Sequence, residues 1–418
     1  MTEILSELIS AQWGFACDPV LTSLVQFREQ PLAPEFMNAV EGAQVICANY
    51  DLLFHDFGKQ LVEFTGTTHP HGNARVQETV DRWLVKQVAY ISKSQSAQEI
   101  TNTRIPITKE EKIVYRPPRY GRAAVMCAEE NGGEPVIFDV KGCGVPPDEE
   151  PVLPNSNGLL TLEEAVWELV FERLVYSAFV HAGISVRPVP TYAIVDLGVT
   201  ATFHGYQPDG KATLLVRRAQ TRPKFQWGQA NPGSVVAHQL LEIESTLRRY
   251  GISASSCGAV RFKLFEKDGV FRVTRDDEEL EFSDAELERI KADTSFNGKE
   301  MIIDGVNVQV SSSLLEDPQN PRILDFGRYR LRSSFSASLY SWWERNYLSL
   351  RGEILHPWET DYVQPDPVLS MARMQDHPLK ERLKEAIAGY ERGKLDKTTL
   401  TSTINEFVLE ATAPLRRG

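Results

Sequence analysis

The middle of the chain alternates between apolar and polar residues in a way that predicts β-strands. Residues 105–115 and 123–130 flank a proline-rich turn, and PVIFDVK at 135–141 follows an Asn-Gly-Gly sequence that favours a hairpin. Two more β-rich segments, TYAIVDLG from residue 191 and ATLLVRRA from residue 212, predict two further strands. Together these segments predict a small antiparallel sheet.

Helical spacing of apolar residues separates the first three of these strands from the last two. Thr161 and Glu164 form a capping-box pattern, apolar residues follow at helical spacing, and Gly183 is a suitable C-terminal cap. One long helix is therefore predicted between the strands, and a sheet with one helix packed on it is an α+β lobe. Similar spacing predicts helices at 1–9, 79–91, 234–251, 284–293, 336–348 and 379–397.

Two hairpins are predicted in the second half of the chain. Residues 258–276 contain an Asp-Gly turn between two β-rich segments, and residues 299–310 have a similar pattern. The short strand RIL at 322–324 follows.

Composition narrows the classes of function. The chain has 418 residues, of which 42% are hydrophobic and 24% charged, as expected for a globular protein. Its formal net charge of -12 disfavours nucleic-acid binding. The N-terminal sequence lacks the basic start of a signal peptide, and no apolar run approaches the roughly 20 residues that span a bilayer, so we expect a cytoplasmic protein without a membrane partner. The five cysteines are widely spaced and predict neither a disulfide framework nor a zinc site.

Three residues far apart in sequence carry the candidate chemistry. Lys141 ends a predicted central strand, Glu168 lies on the apolar side of the long helix, and Asp325 opens a DFG sequence directly after a short strand. A charged group at each of these positions needs a partner of opposite charge. Each feature alone is common, and a surface lysine, a helix-face glutamate and a turn aspartate are the alternative interpretation.

In combination, the three residues resemble the protein-kinase arrangement. There a lysine on the third strand contacts phosphates and pairs with a helix glutamate, and the DFG aspartate binds Mg²⁺. The resemblance implies an α+β, bilobal protein-kinase-like fold with a small antiparallel-sheet N-lobe and a mostly helical C-lobe. We expect a helical N-terminal extension at 1–95, the N-lobe at 96–218, and the C-lobe with a β-hairpin insertion at 219–418.

A narrower resemblance is to the selenoprotein O (SelO) family. The resemblance depends on four segments: YGRAAVMCAEENGGEPVIFDVKGCGVPP from residue 120, the following helix, which begins GLLTLEEAVWE, LLVRRAQTRPKFQWG from residue 214, and the DFG at 325–327. Members of that family are pseudokinases by sequence that transfer AMP from ATP to protein hydroxyls, with the nucleotide in a flipped orientation. The match covers residues 115–230 and the DFG, and it is patchy elsewhere.

The resemblance implies a set of site residues. Lys141 and Glu168 would form the ion pair, Arg217 would contact phosphate, and the second basic position falls on Arg222 or Lys224. Asp325 would bind Mg²⁺. In RPPRYGR at 116–122, the side chains of Arg116, Arg119 and Arg122 would replace the amide contacts of a glycine-rich loop around ATP, together with Gly121, the one glycine of the segment. An exposed basic turn is the alternative for that segment, and a solvated basic loop is the alternative for 217–224.

The region before the DFG departs from the family pattern. Residues 304–324 lack the asparagine–aspartate–asparagine stretch of SelO proteins, so a second metal ligand and a general base are not assigned. We therefore expect an ATP- and Mg²⁺-dependent transferase that moves AMP or a phosphoryl group to a protein or small-molecule acceptor. A catalytically inactive pseudokinase that binds nucleotide as a regulator or scaffold is the second hypothesis. An unrelated α+β enzyme or interaction protein is the third.

Overall fold

A computed structural model describes the chain from residue 33 onward in separate segments. The described residues are 33–68, 73–93, 105–116, 122–128, 136–146, 158–184, 186–201, 210–219, 243, 246–247, 252–253, 261–275, 278–279, 282–293, 296–304, 309–310, 322–324, 326, 330–331 and 379–412. They form an α+β protein whose sheets are mostly antiparallel. None of the helices in these segments is long and apolar enough to cross a membrane.

The strands and helices of the described residues are numbered in chain order. The strands are β1 (Ala33–Val40), β2 (Gln44–Ala48), β3 (Tyr90–Ser92), β4 (Ile107–Arg116), β5 (Ala123–Ala128), β6 (Val136–Lys141), β7 (Leu160–Thr161), β8 (Arg187–Pro188), β9 (Thr191–Ala201), β10 (Gly210–Arg218), β11 (Ile252–Ser253), β12 (Arg261–Lys267), β13 (Val270–Arg275), β14 (Glu278–Glu279), β15 (Met301–Asp304), β16 (Gln309–Val310), β17 (Arg322–Leu324) and β18 (Arg330–Leu331). The helices are α1 (Tyr50–Thr65), α2 (Ala74–Val88), α3 (Leu162–Ala182), α4 (Asp284–Asp293), α5 (Leu379–Glu391) and α6 (Lys397–Thr412).

The chain divides into two compact units. The first consists of Met1–Val166, Val189–Thr221 and Glu385–Glu406, and the second of Trp167–Pro188, Arg222–Lys384 and Phe407–Gly418. The division falls inside α3, after its first five residues.

One antiparallel sheet organises the first unit. Its order is β2-β9-β10-β6-β5-β4-β1-β3, and β7 pairs with β10, which makes nine strands in the described residues. Strands β4, β5 and β6 follow one another as a meander, so β6 is the third strand of that meander. After α3 the chain returns through β9 and β10, and β10 pairs with β6. The strands predicted at 123–130, 135–141, 191–198 and 212–219 are confirmed as β5, β6, β9 and β10, with ends that differ by one to three residues.

Helices α1 and α2 cover one face of this sheet and form the main core with it. The side chains of Asn49 and Asn73 cap the two helices by accepting hydrogen bonds from backbone N–H groups of the first turn. On β6, alternate residues face opposite sides of the sheet. Phe138 therefore enters the core, where its ring centroid lies 5.1 Å from that of Phe57 and 5.7 Å from that of Tyr192. Asp139 and Lys141 consequently lie on the other face.

A buried ion pair fastens α1 to β10 at the core. The Arg218 guanidinium donates to Asp56 through Nε at 2.9 Å and through Nη2 at 2.6 Å. The Tyr192 hydroxyl donates to the same carboxylate at 2.5 Å. Burial, reinforced by the Asp56 charge, raises the pKa of Tyr192 well above its ordinary value. Tyr192 therefore stays protonated and continues to donate to Asp56. The Asp56 carboxylate and the Arg218 guanidinium neutralise each other in the core.

The C-terminal helices return to the first unit. On α5, the Tyr390 hydroxyl lies 3.2 Å from Asp196 Oδ2, which also accepts from Lys211 Nζ at 2.8 Å. On α6, the side chains of Lys397 and Thr401 donate to backbone carbonyls of β2, the edge strand of the sheet. These contacts cover part of an edge that would otherwise offer backbone hydrogen-bonding groups to another chain.

The predicted helical extension at 1–95 is partly wrong. Helices α1 and α2 fit the prediction, but β1, β2 and β3 are strands, and they belong to the same sheet as β4 to β7, β9 and β10. The segment is therefore part of the first unit rather than an extension of it. The predicted helix at 1–9 lies outside the described residues.

The second unit contains the hairpin predicted at 258–276, which β12 and β13 form. Asp268 and Gly269 have positive φ angles of 55° and 73°, as the tight turn between β12 and β13 requires. The Phe271 ring lies 4.8 Å from the ring of Phe296. Helix α4 confirms the helix predicted at 284–293.

The second predicted hairpin, at 299–310, is wrong. Strand β15 pairs with β12, whereas β16 pairs with β17. Local alternation predicted both strands, but their partners lie elsewhere in the sequence. Strand β17 confirms the predicted strand RIL. The predicted aromatic helix at 336–348 lies outside the described residues.

The contact between α5 and β10 predicts a specific pH dependence. Burial raises the pKa of Glu391 above its ordinary 4.5, although the Lys211 backbone N–H donates to Glu391 and lowers it in part. Because the folded form holds the proton more tightly than the unfolded form, this carboxyl group costs stability progressively as the pH rises above 4.5 toward its folded pKa. Glu391→Gln keeps an acceptor for the N–H and removes the titration. We expect the variant to gain stability relative to the parent as the pH rises through this range.

Urea unfolding at a series of pH values measures this difference. Glu63→Gln, an exposed change on α1, serves as the control. Parallel stability curves for the parent and Glu391→Gln would contradict the prediction.

Candidate functional site

The candidate site begins where β6 ends at Lys141. Lys141 shares the face of β6 with Asp139, and its side chain is 11% exposed. The next residue, Gly142, has a φ of +99°, and a Cβ there would lie 2.5 Å from the Thr213 carbonyl oxygen and 2.8 Å from Leu160 Cβ. Glycine is therefore required directly after the lysine for both conformational and steric reasons.

Backbone hydrogen bonds fix the loop after Lys141. The Gly142 and Cys143 N–H groups donate to the Arg122 carbonyl at 2.9 and 3.2 Å, and the Gly144 N–H donates to the Gly158 carbonyl at 2.9 Å. Burial raises the pKa of the Cys143 thiol to about 11, so the thiol stays protonated at neutral pH and is not a nucleophile. The loop positions the end of β6 rather than supplying a reactive group.

Helix α3 brings a carboxylate to Lys141. The helix begins as predicted, because the Glu164 N–H donates to Thr161 Oγ1 at 3.0 Å. Glu164 Oε1 lies 3.6 Å from Lys141 Nζ, and the same oxygen accepts from Arg122 Nη2. Arg122 Nη1 donates to the Leu159 carbonyl at 2.6 Å. We call Arg122, Lys141 and Glu164 the basic cluster.

The predicted partner of Lys141, Glu168, lies one helical turn after Glu164 in α3. Glu168 is 2% exposed, so its carboxylate is buried as the sequence suggested. Residues four apart share a face of a helix, which is why either glutamate fits the pattern. The ion pair between Lys141 and Glu168 stays a prediction, whereas the contact with Glu164 is present.

Arg217, a predicted phosphate contact, lies inside the first unit. Its guanidinium donates to Asp139 Oδ1 through Nη2 at 2.8 Å and Nε at 3.2 Å, and the residue is 2% exposed. The pair follows from the register of β10 against β6, in which Arg217 lies opposite Asp139. A phosphate that binds Arg217 would have to displace Asp139. The role of Arg217 in phosphate binding stays a prediction, and its buried pair with Asp139 does not favour that role.

Arg116 is buried, and its Nε donates to Glu35 Oε2 at 2.9 Å. The other predicted site residues lie outside the described residues. They are Arg119, Gly121, Arg222, Lys224 and Asp325. Phe326 of the DFG is buried, two residues after the end of β17. Within the described segments, no group of three His, Cys, Asp or Glu side chains could hold a metal ion. The assignment of Mg²⁺ to Asp325 therefore stays a prediction.

The basic cluster has the charge needed to bind an anion. Two cations share one carboxylate, and the three side chains are only 11 to 16% exposed. Partial burial strengthens electrostatic interactions relative to water.

Sequence reasoning missed two members of this region. The sequence pattern predicts only a capping role for Glu164. Its position one helical turn before Glu168 is the signal for its contact with Lys141. Asp139 lies two residues before Lys141, and alternation in β6 placed both on one face. The cross-strand register that joins Asp139 to Arg217 has no local signal.

The comparisons with known proteins give no family for this chain. No protein-family model matches it, and no curated protein matches it with statistical significance.

The geometry at Gly142 predicts that even a methyl group there disturbs the site. Gly142→Ala should lower the free energy of unfolding by roughly 3 kcal/mol, because strain at positive φ adds to overlap with backbone atoms. Gly66→Ala is a matched control, since Gly66 also has a positive φ of 72° but a Cβ there meets nothing within 4 Å. The control should lose about 1 kcal/mol. Chemical denaturation measures both values, and equal losses would show that the close contacts at Gly142 are not limiting.

Proposed function

We propose that this protein is an ATP- and Mg²⁺-dependent transferase with a kinase-like nucleotide-binding lobe. It would move AMP, as in SelO-type adenylylation, or a phosphoryl group from ATP to a protein or small-molecule acceptor. One observation carries the proposal: Lys141 ends the third strand of an antiparallel meander, 3.6 Å from a carboxylate on the helix that follows. A lysine on the third strand paired with a glutamate on the next helix is how protein kinases hold the phosphates of ATP.

In this proposal, Lys141 binds phosphate oxygens and Glu164 fixes the position of its ammonium group. Glu168 remains a second candidate for that role. Asp325 directly follows β17 and would bind the metal, which when present neutralises negative charge on the phosphates. Transfer of this kind depends on position and charge rather than on a covalent intermediate. That fits a site in which ion pairs and hydrogen bonds hold two cations, Arg122 and Lys141, beside Glu164.

A nucleotide-binding regulatory module is the second candidate. The observation that favours it is the buried Arg217–Asp139 pair, because it occupies a cation that the SelO resemblance assigns to phosphate. The sequence before the DFG also lacks the family's catalytic stretch. Such a module would bind ATP without transferring any part of it.

Labelled ATP separates the two candidates. The full chain is incubated with Mg²⁺ and ATP labelled at the α- or the γ-phosphate, alone and with a cell lysate as the source of acceptors. Label from the α-phosphate on an acceptor indicates AMP transfer, and label from the γ-phosphate indicates phosphoryl transfer. Binding of ATP without transfer of either label indicates the regulatory module. Absence of ATP binding, measured by thermal shift and calorimetry, refutes both.

Two substitutions test the site within the transferase proposal. Lys141→Ala and Asp325→Ala should each lower the transfer rate by roughly 100-fold or more, because each removes a charge that faces the transferred group. Arg82→Ala, an exposed change on α2, is the control and should leave the rate unchanged. Circular dichroism verifies that each variant is folded. Near-normal transfer by folded Lys141→Ala would refute the site.

A further inference from the structure

Arg122 joins three segments around Lys141. Its carbonyl accepts hydrogen bonds from the N–H groups of Gly142 and Cys143. Its guanidinium donates hydrogen bonds to the Leu159 carbonyl and to Glu164. These partners come from the loop after β6, the residue before β7 and the first turn of α3. The side chain of Arg122 is only 16% exposed. Arg122 is therefore a largely buried residue that links these three segments, and it does not lie on an exposed turn.

Arg122 and Lys141 do not share Glu164 equally. Arg122 Nη2 is within direct hydrogen-bonding distance of Glu164 Oε1, whereas Lys141 Nζ is 3.6 Å from the same atom. Arginine holds its charge at all relevant pH values and presents a rigid, planar set of donors, so it is the stronger anchor for the carboxylate. Of the two contacts with Glu164, that of Lys141 is the longer. A ligand that draws Lys141 away from Glu164 therefore breaks the weaker of the two contacts.

Arg122 also changes the charge of the site. It adds a second cation beside a carboxylate that Lys141 also approaches, in a chain whose formal net charge of -12 repels a triphosphate. Without Arg122, Glu164 would attract Lys141 more strongly and would draw it away from any phosphate.

We propose that Arg122 is a positioning residue that neutralises and anchors Glu164, so that Lys141 can bind the phosphates of ATP. This inference rests on the proposed function and deepens it. It differs from the sequence-based prediction, in which Arg122 itself contacts the nucleotide. In the new role, Arg122 acts on ATP only through Glu164.

A double-mutant cycle distinguishes the two roles. Dissociation constants for ATP are measured by calorimetry for the parent, Arg122→Gln, Glu164→Gln and the double variant. If Arg122 acts through Glu164, Arg122→Gln should weaken binding about 10-fold in the parent but less than about threefold when Glu164 is already glutamine. If Arg122 contacts phosphate directly, the loss should be similar in both backgrounds, and that result overturns the inference.

Two further variants sharpen the test. Arg122→Lys keeps a positive charge beside Glu164, and it should restore most of the affinity that Arg122→Gln loses. An arginine with a purely structural role would give a loss that does not depend on Glu164, so the cycle excludes it as well. Arg82→Gln is the matched control and should bind ATP like the parent.

The outcomes also separate this inference from the proposed function. If the parent does not bind ATP, the proposed function fails and this inference fails with it. If the parent binds ATP and Lys141→Ala does not, but the loss at Arg122 is the same in both backgrounds, only the role of Arg122 is refuted.

Discussion

Neutralisation of buried arginines is the constraint on which the first unit depends. An ionised group that leaves water without a partner costs several kcal/mol, and removing one partner of a buried pair typically costs about 3–5 kcal/mol. Arg217 and Arg218 are consecutive in β10 and therefore face opposite sides of the sheet. Asp139 meets the first from β6, and Asp56 meets the second from α1. One dipeptide thus fixes the register of the central strands and the position of a helix on the core.

The candidate site uses the same principle with a different balance. Arg217 and Asp139 form a fully buried pair of one cation and one anion, whereas in the basic cluster Arg122 and Lys141 both approach one oxygen of Glu164 and remain partly accessible. A fully buried pair holds two strands together, and partly accessible cations can contact an anionic ligand. Asp139 and Lys141 lie on the same face of β6, two residues apart, so the buried pair supports the strand that ends at Lys141.

Local patterns in the sequence predicted many of the strands and helices, although not β1, β2 and β3, and they did not predict which strands pair. Alternation and turn residues predicted β5, β6, β9 and β10, and the capping box predicted the start of α3. The pairing of β15 with β12 could not be predicted, because it joins segments that are separated by other strands. The same reason applies within the site. A helical pattern cannot choose between Glu164 and Glu168 beside Lys141, since both lie on one face and the choice depends on how the helix packs.

The return of α5 and α6 to the first sheet has a consequence for how the protein is made. Tyr390 contacts Asp196 across 194 positions, and Thr401 contacts Ile46 across 355. Chains emerge from the ribosome N-terminus first, so the edge at β2 stays without this cover until residues 397–401 have been synthesised. During that interval the growing chain exposes a strand edge that other polypeptides can pair with. Premature termination before residue 397 would make that exposure permanent.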